Sequence, residues 1–193
     1  MIELQHINVK LFLRDAEGVD IGPLVPIFHG WIQEQIGDEL LIDVADYRHV
    51  PDGPGVMVIG HEADYSVDNT DGRLGVRYAR KATLNSNNQE RLKQAARSAL
   101  TAYQRLEEEA KLNDWLRFNG EDIEVVINDR LLAPNRAETR IVLEPEFRSF
   151  GDKLFGTGNY HLTWQTEPRR LLGATFHANR TFTAAELLKN LNS

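Results

Sequence analysis

His61, Glu62, Asp64 and Tyr65 fall within five residues, and Asp43, Asp46, Tyr47 and His49 fall within seven. Imidazole beside carboxylate is the residue chemistry of a metal site or an acid–base pair. On that reading His61, Glu62, Asp64 and His49 are the candidate catalytic residues. His61, Asp64 and Asp46 are the candidate metal ligands. The alternative is a polar strand end whose acids satisfy turn amides. His61-Glu62 begins a His-Glu-x-x-His zinc-helix pattern, but position 65 is Tyr65, and the segment sits at a strand end. That pattern is therefore excluded.

Other chemistry-bearing residues have plainer readings. Gly53-Pro54-Gly55 is a fragment of a dinucleotide loop, yet its central proline removes an amide that a phosphate needs. A stiff turn into a buried strand fits it better. Arg73 and Arg77 share one strand face across Gly75 and could bind an anion, although a solvated sheet face is the commoner fate. Arg169 and Arg170 echo them further along. His29 flanks an apolar helix stripe and reads as a core-edge histidine. His6, His161 and His177 sit on strands with no carboxylate nearby in sequence and are assigned no role. Trp31, Trp115 and Trp164 read as core or interface anchors. There is no Gly-x-Ser-x-Gly elbow, Walker loop or EF-hand loop, and the residues name no cofactor.

The elements that must hold these residues follow from periodicity. Ile7, Val9, Leu11 and Leu13 alternate with Asn8, Lys10 and Phe12, which predicts a strand with one apolar face. A helix follows Pro23, with Pro26 in its first turn and an apolar stripe through Leu24, Phe28, Trp31 and Ile32. Residues 40–46 and 55–61 read as strands around the tight loop 51–55. The second is apolar on both faces and is expected to be central. Residues 65–68 and 74–80 flank a hairpin turn. Ser86 with Gln89 reads as a capping box. It opens a long helix with Leu92, Ala96, Ala99, Tyr103 and Leu106 on one stripe.

The pattern then recurs. Ile123, Val125 and Ile127 repeat the opening strand. Asn135 with Glu138 looks like a helix start, and Pro145 is expected to interrupt it and open a further helix bearing Phe147, Phe150 and Leu154. Tyr160-His-Leu162 and the strand after Arg170 repeat the first hairpin, and Thr183-x-x-Glu186 caps a last helix. The expected fold is α+β: a mixed or antiparallel sheet flanked by helices. It forms one domain over residues 1–193, with an internal pseudo-repeat of halves near 1–112 and 115–193. The second half has no counterpart of strand 40–46 or of the 51–55 loop, so residues 39–66 are where function is expected.

Composition narrows the field. With 193 residues, 41% hydrophobic and 26% charged, the chain can build a full core. It has no cysteine. Disulfides, thiolate nucleophiles and cysteine-ligated metal sites are thereby excluded, and a reducing, cytoplasmic location is expected. The opening MIELQHINVKLFL lacks the layout of a signal peptide. No apolar run nears the roughly 20 residues that span a bilayer, so no membrane association is expected. The net charge of −7 argues against nucleic acid as a partner. Residues 1–72 hold 14 acids and 3 bases, whereas residues 73–193 hold 15 acids and 19 bases. The halves are expected to neutralise one another within the fold. A homo-oligomer or a protein partner would also exploit the asymmetry.

The strings His49-Val-Pro-Asp-Gly-Pro-Gly55 and Gly60-His-Glu-Ala-Asp-Tyr-Ser66 resemble those of an uncharacterised bacterial protein family of about this length. The resemblance implies no activity. The functional expectation is a non-enzymatic binding or assembly protein. The rivals are a small metal-assisted or acid–base hydrolase centred on residues 43–65, and a small-ligand sensor using loop 51–55.

Overall fold

The computed structural model describes residues 2–35, 39–112 and 114–192. Among these the chain forms, in order, β1 (Ile7–Leu13), α1 (Leu24–Glu34), β2 (Leu41–Tyr47), β3 (Gly55–Gly60), β4 (Ala63–Asp68), β5 (Gly75–Arg80), α2 (Asn88–Glu107), β6 (Phe118–Ile127), α3 (Ala137–Phe155), β7 (Tyr160–Trp164), β8 (Leu172–Ala178) and α4 (Ala184–Asn192). The strands make one eight-stranded sheet in the order β2-β3-β4-β5-β1-β6-β8-β7. Every neighbouring pair is antiparallel. The fold is α+β, and the expected mixed or antiparallel sheet is the antiparallel one. Strand 55–60 is not central: it has one strand, β2, between it and the sheet edge.

Register assigns the two faces of the sheet. Val9 lies opposite Tyr78 on one side and Val125 on the other, and Val125 lies opposite Ala174. Tyr65 faces Tyr78, and Val67 faces Val76 and Val56. Because side chains alternate along a strand, all of these share one face. They meet the helices: Gln94 of α2 bonds Tyr78, Trp31 of α1 packs against Tyr65, and Phe147 of α3 packs against Trp164 and Phe176. Helix α4 packs on α2 and α3. The opposite face bears Asn8, Lys10, Ser66, Arg77, Glu124 and Thr175 and, among the described residues, carries no helix.

Two helix boundaries differ from expectation. Asn87, not Ser86, caps α2, its side chain accepting from the Glu90 amide at 2.9 Å. Both residues have an acceptor three positions before a suitable amide, and asparagine caps at least as well as serine. Helix α3 also runs unbroken through Pro145. Leu143, Phe147, Phe150 and Leu154 are buried on both sides of the proline. Their spacing of 4, 3 and 4 keeps one stripe on the core. The tertiary burial outweighs a local cost of about 3 kcal/mol. The last helix begins as read, with Thr183 and Glu186 exchanging hydrogen bonds of 2.8 and 3.1 Å. Among the described residues no helix is long and apolar enough to cross a membrane.

Candidate functional site

The antiparallel β2–β3 hairpin separates the residues that cluster in sequence. Asp46 pairs with Val56 and Leu41 with Gly60. Asp46 and His49 therefore lie at the β3 start, whereas His61, Glu62 and Asp64 lie beyond its end. At about 3.3 Å per residue, β3 holds the two groups roughly 17 Å apart. His61 and His49 are exposed. Asp46 is held by Arg48 at 2.6 Å, Glu62 by Arg80 at 3.1 Å, and Asp64 by Lys81 at 2.6 Å and the Gly60 amide at 3.2 Å. Asp43 accepts from the Val44 amide. Among the described residues no three His, Asp or Glu side chains converge as a metal site would require.

Other assignments also move. His29 is exposed rather than core-flanking. His177 has carboxylate company after all, its Nδ1 lying 2.7 Å from Asp122 on the neighbouring strand, and His161 stacks on it at 4.6 Å. Loop 51–55 does make a stiff turn. Gly55 has φ +65°, and a Cβ there would run into the Val67 carbonyl. Gly53 and Gly55 line an open cleft of about 1040 Å³ facing residues 15–21.

A better-formed site lies on the helix face, between α1, α2 and strands β4 and β5. It is a pocket of about 420 Å³. Cross-strand pairing sets Tyr65 and Tyr78 side by side, with rings 5.1 Å apart. Trp31, from the buried stripe of α1, meets Tyr65 edge-on at 6.3 Å. Helix α2 supplies Gln94, Ser98, Thr101 and Arg105 at helical spacing. They flank its fully apolar stripe, so one helix seals the core and lines the pocket. Glu39 enters from the segment just before β2.

These groups form a hydrogen-bonded chain. Gln94 Nε2 donates to the Tyr78 hydroxyl at 2.9 Å, and that hydroxyl donates to Glu39 Oε1 at 3.0 Å. Arg80 Nη1 also donates to Tyr78 at 3.3 Å, and its Nη2 holds Glu62. Two buried acceptors are left without a well-formed hydrogen bond from the described protein: Glu39 Oε2, whose carboxyl has the Tyr65 hydroxyl close by, and Gln94 Oε1. Each such orphan costs about 1–3 kcal/mol. Burial raises the Glu39 carboxyl above its usual range, despite the Tyr78 hydrogen bond and the Arg80 charge. Burial, reinforced by the nearby Glu39 charge, also raises Tyr65. Both tyrosines are thus neutral hydroxyls at physiological pH. Arg105 lies 6.0 Å above the Trp31 ring, and Arg97 stands exposed on the rim.

The pocket combines aromatic walls, a shifted carboxyl, unsatisfied acceptors and rim cations, the make-up of a small-molecule site. Of the residues singled out in sequence, Trp31, Glu62 and Tyr65 line it; Glu39 lies at the start of the 39–66 stretch. Glu39, Tyr78 and Gln94 have no motif to betray them, since they come from three elements. The class these observations define is an α+β protein with a helix layer on one face of an antiparallel sheet and a polar–aromatic pocket between them. No protein-family model matches the chain, and no curated protein is similar to it.

Proposed function

We propose that this is a non-enzymatic binding protein whose ligand occupies the helix-face pocket. The carrying observation is that two buried acceptors, Glu39 Oε2 and Gln94 Oε1, are orphaned in a cavity walled by Trp31 and Tyr65. A ligand that supplies hydrogen-bond donors recovers the lost bonds. A flat apolar body fits the indole and phenol walls, and an anionic group meets Arg97 and Arg105. An aromatic amino acid has all three features, with its ammonium toward Glu39. Isothermal calorimetry with phenylalanine and tryptophan tests the reading, with phenylacetate lacking the amine and phenethylamine lacking the carboxylate. The full zwitterions bind most tightly, and Glu39→Gln weakens them by about tenfold. Absence of heat with every probe, or indifference to Glu39→Gln, sinks it.

Assembly is a second reading. Strand β2 forms one sheet edge and exposes Ile42 and Tyr47, with Leu40 and Val50 exposed just outside its ends. An unpaired, apolar edge invites a second copy to extend the sheet. Ile42→Lys then converts a dimer to a monomer in sedimentation equilibrium; a monomeric parent protein removes the idea. We place the protein in the cytoplasm on its lack of cysteine. We further read β1-α1-β4-β5-α2 and β6-α3-β7-β8-α4 as duplicated units. The support is that β1 and β6 are neighbours, with β5-β4 outside one and β8-β7 outside the other.

A further inference from the structure

The helix-free face of the sheet carries a second, chemically different cavity of about 230 Å³. Its floor is three adjacent strands, with Lys10 directly opposite Arg77 on β5 and Glu124 on β6. Lys10, only 4% exposed, lies flat over Gly75, where a Cβ would come within 2.9 Å of its Cγ and Cε. It donates to Asp68, which is wholly buried, at 2.7 Å and to the Thr70 carbonyl at 3.2 Å. Arg77 adds 3.1 Å to the same aspartate. Asp68 also accepts from the Thr70 amide and hydroxyl, both at 3.0 Å. This ion pair is closed on itself.

The roof is the β7–β8 turn. Arg170 is clamped to Asp71 by two hydrogen bonds of 2.9 and 2.7 Å. Arg130 holds the roof by donating to the Arg169 carbonyl at 2.6 Å. Three groups that line the cavity form no ion pair among the described residues. The guanidiniums of Arg130 and Arg169 pair with no carboxylate among the described residues, and both are exposed at the mouth. The Glu124 carboxylate is half-buried on the floor and receives no hydrogen bond from the described protein. Burial outweighs the Lys10 and Arg77 charges and raises its carboxyl above the usual range. A half-buried floor carboxylate without donors, in a cavity whose mouth carries two exposed guanidiniums, is an arrangement that leaves the carboxylate's burial uncompensated. It is a complementary one for a molecule with hydroxyls at one end and an anion at the other.

We propose that this cavity binds a small hydroxylated phosphate, the phosphate held by Arg130 and Arg169 and the hydroxyls donating to Glu124. Planar guanidiniums suit a phosphate's paired oxygens. The lining has no aromatic ring, which favours a polyol over a flat ligand. The volume is several times the roughly 30 Å³ that one water takes in the liquid, room for a small polyol phosphate.

Isothermal calorimetry with glycerol 3-phosphate, inorganic phosphate and glycerol separates the contributions. Glycerol 3-phosphate binds at least about tenfold more tightly than phosphate, and glycerol gives no heat. Glu124→Gln is nearly isosteric; it erases the preference for glycerol 3-phosphate while phosphate binding persists. The single variant Arg169→Ala, whose guanidinium makes no hydrogen bond within the described protein, weakens both ligands with its thermal unfolding unchanged, and the double variant Arg130→Ala/Arg169→Ala loses both while circular dichroism shows the fold retained. No binding of glycerol 3-phosphate by the parent protein overturns the proposal. So does binding that ignores the arginine pair, or a preference that survives Glu124→Gln.

Discussion

The two faces of one sheet solve the problem of polar burial in opposite ways. On the helix face, Glu39, Tyr78 and Gln94 are set among aromatic rings and incompletely satisfied. On the open face, Lys10, Asp68 and Arg77 are charged and their central ion pair is fully hydrogen-bonded, while the neutral amide of Asn8 is left without a partner among the described residues. A buried charge must be paired or it empties into solvent or changes protonation. A neutral amide such as that of Gln94, or a carboxyl whose ionisation burial disfavours, such as Glu39, can be left short at a cost the surrounding core absorbs. The helix face can therefore hold unfinished hydrogen bonds for a ligand. The open face finishes its buried pair and leaves Arg130 and Arg169 exposed at the rim, with Glu124 half-buried on the floor.

The largest break in this comparison comes at Asp68. Asp68→Ala strands Lys10 in the interior and lowers stability by about 3–5 kcal/mol in urea denaturation. The double change Lys10→Met/Asp68→Leu recovers most of that loss. A single-variant loss under about 1 kcal/mol would mean that Lys10 reaches water, against its burial. The corresponding change on the helix face is milder. Gln94→Leu removes one orphan acceptor together with the Tyr78 bond, and the two effects offset to within about 1 kcal/mol.

Acid titration sharpens the contrast further. Burial works to raise Asp68, but the Lys10 and Arg77 charges and their hydrogen bonds outweigh it and hold it below its ordinary 3.8. Its contribution is present above the unfolded value and is lost as pH falls through the folded one. Glu39 and Glu124 shift the other way, above 4.5, through burial. Their ionisation weakens the fold at neutral pH, and protonation relieves this as pH falls through their raised values. Stability is thus level or slightly rising on acidification toward 4.5 and falls below 3.8. Carbon-detected NMR of the carboxyls orders the three groups, and Asp68 titrating above either glutamate defeats the scheme. The smallest effect belongs to Asp46, held at about 2 by its hydrogen bonds from Arg48 yet on the surface. Asp46→Asn leaves the unfolding midpoint unchanged, as expected for a solvent-screened surface pair; a clear drop would mean that the hairpin depends on it.

Much of the scaffold was legible because periodicity is a local property. The alternation in β1, the α2 stripe through Leu92, Ala96, Ala99, Tyr103 and Leu106, and the Thr183–Glu186 box could each be read from a few neighbouring residues. Pro145 was misread because its local penalty is visible while the burial of Leu143 and Phe147 around it is not. The site was less legible. His61, Glu62 and Asp64 stood out because they are close in sequence, yet antiparallel pairing parts them from Asp46 and His49. His177 looked solitary because Asp122 lies 55 residues away along the chain. Arg77 and Arg170 were noted as echoes of one another, and both line the open-face cavity, though nothing in their spacing brings in Lys10 or Glu124. The acidic opening segment is in part neutralised within the fold, as Asp68, Asp71, Glu62 and Asp64 pair with Arg77, Arg170, Arg80 and Lys81.

By itself the sequence determined most of the strands and helices and the apolar stripe of each helix, but not that α3 runs through Pro145 or that β1 is buried on both faces. Repeats of 2 and 3.6 residues encode these faces directly. Tertiary structure alone decided which faces meet. The lateral order of eight strands and their register set Lys10 beside Glu124, and the packing of α1 and α2 set Trp31 and Gln94 around Tyr65 and Tyr78. Such neighbours are fixed by long-range packing, because the pairing of distant strands leaves no periodic trace in any one of them.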